Sequence, residues 1–206
     1  MKNQMLPNAR PQASFAEVES WIKSFVFERS KYPLFLVGFR GYYEKSMGDP
    51  TKNDRNIYDD AGFIISPNIF RSFNFNTDPS AVRKGRGTGA EKGMLSLKAN
   101  EIYFAHKFGI HKGAKAKVGY LALVQRMGIV KGLRDGIEVE QYPVDGSFGA
   151  NIHKGGLFNT FSEGCQTVPP TQWNEFIDLA TAEAKLLFAD KWDQVVIPYI
   201  LIDKKE

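Results

Sequence analysis

Apolar residues change period along the chain, and each change marks an element. Val18, Trp21, Ile22 and Phe25 recur at the spacing of a helix with one apolar face. Ser14-Phe15-Ala16-Glu17 ahead of them fits a capping box, in which serine and glutamate satisfy each other's backbone amides. A helix is therefore predicted from about Phe15 to Arg29, behind a disordered lead over residues 1–12. Pro33–Phe39 reads as a buried strand, and Arg40 opens a long loop that ends among Asp54, Arg55, Asp59 and Asp60, residues suited to an ion-pair network. Ala61–Phe75 is strand-like throughout. Met94–Tyr103 and Tyr120–Gln125 read as strands with His106 and His111 between them, Gly128–Gly136 as turn-rich, and Ile137–Tyr142 as an alternating strand.

Phe148–His153 alternates again and delivers His153 to a strand end. Val168-Pro169-Pro170-Thr171 stops a strand and caps a helix from Gln172 to about Ala189, whose face is marked by Trp173, Phe176, Ile177, Ala180 and Ala184. Val195–Ile202 closes the chain as a strand; Pro198 cannot donate to a ladder, so that strand is an edge or carries a bulge. Many short strands, few helices and no βαβ rhythm predict an α+β domain: a strand-rich mixed sheet or sandwich with a few flanking helices. Residues 61–206 form its main part. Residues 1–60 are an addition or belong to the same domain.

Composition narrows the classes. The chain has 206 residues and one cysteine, so no internal disulfide and no cysteine-rich zinc site can form. No stretch approaches a membrane span and MKNQMLPNARPQ lacks an apolar signal core, which predicts a cytoplasmic protein unless a partner releases it. The net charge of +4 is uneven: twelve Lys and Arg but only two acids lie between Ala81 and Arg134. Such a run is a solvated face or a surface for polyanions, anionic wall polymers or nucleic acid, with no obligatory nucleic-acid partner. Gly85–Gly93 is no Walker A loop, because no Gly-Lys-Ser/Thr closes it; it reads as a mobile basic lid.

Candidate chemistry concentrates in Ser147–Trp173. It holds the lone Cys165 and, twelve positions upstream, His153. A thiol nucleophile needs a nearby base and a positive setting that lowers its pKa. The competing reading is a small buried hydrophobe. Cys165 instead follows the polar, glycine-bearing Ser162-Glu163-Gly164. A zinc site would need His106, His111 and His153 together, or two of them and a carboxylate.

The phrases IHKGG and SEGC resemble the active-site signature of L,D-transpeptidases of the YkuD type, over about Asn76 to the C-terminus. The resemblance implies an L,D-transpeptidase-like fold with Cys165 as nucleophile, His153 as base, Ser162 opening the turn and Gly164 preceding the nucleophile. Glu163 stands where the family has a second histidine, and the His-to-Cys spacing is shorter. NIHKGG and SEGCQT are also similar to phrases in uncharacterised proteins of tailed phages and prophages. We accordingly expect cysteine-dependent acyl transfer on peptidoglycan stem peptides, as an L,D-transpeptidase, L,D-carboxypeptidase or endopeptidase, with hydrolysis favoured in a phage, endolysin-like setting. Asn151 or Ser162 would orient the imidazole, the Gly164 and Cys165 amides would form the oxyanion hole, and Lys154, Glu163, Gln166 and Thr167 would contact substrate. No cofactor is expected. A zinc-dependent wall hydrolase and a non-enzymatic phage structural or nucleic-acid-binding protein are the alternatives.

Overall fold

The computed structural model describes residues 4–50, 53–87, 91–113 and 117–203. Eight strands pair into one mixed sheet in the order β10-β9-β6-β5-β11-β1-β2-β3. They are β1 (Phe35–Arg40), β2 (Asp60–Ile65), β3 (Phe70–Phe75), β5 (Glu101–His111), β6 (Tyr120–Gln125), β9 (Ile152–Lys154), β10 (Gln166–Val168) and β11 (Ile197–Asp203). β1 with β11 and β9 with β10 run parallel; the other neighbours are antiparallel. Just past β3, Asn76 bridges to Thr167 in β10, each amide donating to the other's carbonyl at 2.9 Å. That bridge brings the sheet nearly to a closed barrel. The strands β4 (Leu95–Leu97), β7 (Val130–Asp135) and β8 (Gln141–Gly146) form a second, antiparallel sheet in the order β4-β7-β8. The strand-rich α+β expectation holds in this form.

The two faces of the large sheet make two apolar clusters. Phe35, Val37, Phe39, Phe63, Ile200 and Ile202 pack on Val18 and Ile22 of α1 (Phe15–Ile22). The other face gathers Leu36, Phe73, Phe75, Phe108, Leu123 and Ile152 with the apolar stripe of α2 (Pro170–Phe188). There Phe176 sits edge-on to Phe73 at 5.2 Å. β1 and β11 are buried on both faces, which is why they read as continuous apolar runs.

Several expectations are corrected. α1 keeps its capping box but stops at Ile22, short of Arg29. Residues 4–12 are not a loose lead: Arg10 pairs with Glu175, Tyr43 donates to Ala9 O and Ser72 to Pro11 O. Ala61–Phe75 is a hairpin. His106 and His111 belong to β5 itself rather than to a connection, and Gly128–Gly136 contains β7. The strand expected at Ile137–Tyr142 starts at Gln141, and the one at Phe148–His153 shrinks to Ile152–Lys154. α2 is capped by no side chain; Pro169 precedes it and Pro170 takes its first turn, where a missing N–H costs nothing. β11 is central, and Pro198 falls at a register shift between Ile197 and Tyr199. Of the ion-pair network expected at the loop's end, Arg55 takes part, gripping Asp135 with two 2.7 Å bonds, while Asp59 accepts from the Asp54 amide and Asp60 from the Gly41 and Thr77 amides.

Candidate functional site

Cys165 is delivered by a turn bonded within itself and to two other parts of the chain, at Ser80 and Leu95. Ser162 Oγ donates to Cys165 O at 2.7 Å and accepts from Gly164 N at 3.1 Å. Ser162 N donates to Ser80 Oγ, and Leu95 N on β4 donates to Glu163 O at 3.0 Å. Gly164 has φ +147°, and a Cβ there would lie 2.7 Å from Leu95 Cβ, so only glycine lets the turn press against β4. Ser162 thus shapes the turn and does not orient an imidazole. The Gly164 amide is committed to Ser162 Oγ.

The register β10 on β9 pairs Gln166 with Ile152 and Thr167 with His153. Strand alternation then sends Ile152, Gln166 and Val168 inward, and Asn151, His153, Cys165 and Thr167 to the opposite face. Gln166 is fully buried; it accepts from Tyr199 OH at 3.0 Å and reaches back towards Gly164 O. Gln166 and Thr167 both have no exposed surface, whereas Lys154 is exposed with its ammonium over the Tyr120 ring.

The Cys165 thiol is half-buried and donates to Gly149 O at 3.4 Å. Burial pushes it up to about 11; the nearby Glu163 charge adds to that, against the Asn151 amide and Lys92. His153 is 4% exposed, and burial, then the neighbouring His111, bring it down to about 4. Its Nδ1 lies 2.8 Å from Lys154 O. A carbonyl only accepts, so Nδ1 carries the proton and Nε2 keeps the basic lone pair. Tyr120 OH stands 3.4 Å from the same Nδ1.

His111 comes from β5 onto this face and stacks on His153 with centroids 4.2 Å apart and planes within 9°. Asn151 orients His111, not His153: its Oδ1 accepts from Gln125 N at 2.8 Å, which fixes the amide, and its Nδ2 donates to His111 Nδ1 at 3.0 Å. The sequence offered His111 only a place in a histidine zinc site. Its signal was positional, since it ends an alternating strand whose partner residue, Tyr120, opens the next one. His106 faces inward instead, donating from Nε2 to Ala150 O at 2.8 Å, and is fully buried. The three histidines therefore do not converge, and among the described residues no group of three or more His, Cys, Asp or Glu is placed to hold a metal.

Beside Cys165 lies a cleft of about 160 Å³, walled by β4, β7 and the turn. Lys92, Arg134, Phe148 and Glu163 line it. Glu163 is engaged by Arg83 through two bonds of 3.0 and 3.2 Å, which hold its carboxyl below the usual range. Of the Gly85–Gly93 lid, residues 88–90 lie outside the described ones; its flanks are tied by Gly85 N to Asp135 O and Met94 N to Arg83 O. Among the described residues no helix is long and apolar enough to cross a membrane. Comparison with protein-family models, with curated proteins and with solved structures returns no match.

Proposed function

We propose that the chain is a cysteine-dependent acyl-transfer enzyme acting on peptidoglycan stem peptides, with water as the usual acceptor. One observation carries the reading. Cys165 borders an open cleft on the sheet face that also carries His153, and the bond to Lys154 O leaves His153 Nε2 as the basic atom. In the proposed step Nε2 takes the thiol proton while Sγ attacks a peptide carbonyl. The tetrahedral oxyanion is met by the Cys165 amide, since Gly164 N is already engaged. Collapse expels the amine, which takes the proton from the imidazolium. Water then releases the acyl group by the reverse sequence.

A thiol pushed up to about 11 and an imidazole brought down to about 4 make a resting ion pair unfavourable. Proton removal is therefore coupled to attack rather than completed before it. This departs from the lowered thiol expected of the sequence.

The test is mass spectrometry of peptides released from purified peptidoglycan by wild type, Cys165→Ala and His153→Ala. Release is expected to fall at least about a thousandfold in both variants. Undiminished release by Cys165→Ala overturns the reading. The protonated thiol bonded to Gly149 O also favours a second one, a non-enzymatic binding protein with a structural cysteine. No peptide release from wild type, together with steeply salt-dependent polyanion binding, is its expected signature.

A further inference from the structure

The Cys165 cleft is lined by a largely buried cation. Arg134 is 5% exposed, yet among the described residues it makes no ion pair. Its Nη1 donates to Gly93 O at 2.6 Å and its guanidinium stands 4.9 Å over the Phe148 ring. A guanidinium has five N–H donors in a fork. Arg134 is one of the residues that line the cleft. Burial depresses this charge; Tyr142 and Glu163 offset part of that, and Arg83 opposes them. Lys92 faces the same space, while Glu163, the one carboxylate among the described residues lining it, is held by Arg83.

Position adds to charge. Arg134 is the cross-strand partner of Leu95, the residue against which the Gly164 turn is pressed. The register of β4 on β7 therefore sets Arg134 in the wall of the cleft that the thiol borders. A volume near 160 Å³ is below that of a pocket for a whole drug-sized ligand, and suits one small acidic group.

We propose that this cleft is a carboxylate-recognition pocket: Arg134, assisted by Lys92, binds the free carboxylate of the residue adjoining the carbonyl that Cys165 attacks. The planar fork matches two carboxylate oxygens, and Lys92 supplies a second charge at the mouth. Naming the substrate class in this way rests on the acyl-transfer reading; the anion pocket beside a thiol does not.

Paired alkylation of Cys165 by iodoacetate and iodoacetamide tests it. In both reactions sulfur displaces iodide and the thiol proton goes to solvent; the reagents differ in carrying a carboxylate or a neutral amide. The ratio of their rates, divided by the same ratio for glutathione, cancels the thiolate fraction. In wild type it is expected to be at least about fivefold above one, from charge-assisted bonding of the reagent. Arg134→Gln is expected to bring it to one, and Lys92→Gln to bring it part of the way. If Arg134→Gln fails to fold, Lys92→Gln carries the test, with protection of wild type from iodoacetamide by sodium acetate against sodium chloride at equal ionic strength. A wild-type ratio of one, or a raised ratio indifferent to both variants, overturns the pocket. A raised ratio with peptide release untouched in Cys165→Ala keeps the pocket and overturns the acyl-transfer reading. Cysteine-dependent release with a ratio of one does the reverse.

Discussion

β9 and β10 carry opposite chemistry on their two faces. Inward, Ile152 and Val168 enter the apolar core and Gln166 is tied to Tyr199 OH. Outward, His153 meets Lys154 O, Asn151 meets His111, and the Cys165 thiol meets Gly149 O. The inward side supplies free energy of burial; the outward side holds a network that would cost stability if left unpaired. Only three residues in each strand separate the two roles. A one-residue slip would exchange them, so the register is what places the candidate site.

Breaking the turn that sets this register should have the largest effect. Gly164→Ala meets both the positive φ and the Leu95 overlap, and is expected to cost about 4 kcal/mol in urea unfolding, with loss of the native Cys165 alkylation rate. Next comes pH. His106 inward and His153 outward are both held neutral, near 4, by burial. Their folded pKa values lie below the unfolded value near 6.5, so the fold binds fewer protons. Their stabilisation is complete above about pH 6.5 and is lost as pH falls towards 4, by roughly 3 kcal/mol each at the limit. His106→Phe should lose less stability than wild type between pH 7 and pH 4.5, measured by urea midpoints. Tyr199→Phe should cost about 2 kcal/mol, because it strands the buried Gln166 Oε1 while leaving the outward face in place. An unchanged midpoint would mean that the inner bond does not set the register. The smallest effect is electrostatic. His111→Ala removes a neighbour that lowers His153, so the His153 ring should titrate at higher pH by NMR.

Legibility followed locality. α1, β1, β6 and most of α2 could be read because their patterns are complete within one element. β7 could not, since Gly128, Gly132 and Gly136 mimic a turn. Gly132 is there for packing: a Cβ would lie 2.6 Å from Ser96 O across β4. Ile137 and Val139 suggested a strand but are exposed. Cys165 and His153 were visible as residue types, and the parallel register confirms only that they share a face. His111 and Arg134 reach the site from β5 and β7, through pairings with no local trace. Gln166 and Thr167 looked like polar substrate contacts, but both are fully buried: the strand period turns Gln166 inward, and Thr167 is bridged to Asn76 on the other side.

The Asn76–Thr167 bridge has a bearing on solubility. A sheet left open between β3 and β10 would offer two rows of unpaired backbone groups, and such rows recruit strands from other molecules. The bridge joins these borders at one point, and Gln172 Oε1 takes the Asn74 amide beside it at 3.0 Å. In the smaller sheet, β8 forms a border interrupted by Pro143, which has no amide to offer. A chain this rich in short strands thereby keeps much of its templating edge away from other copies of itself.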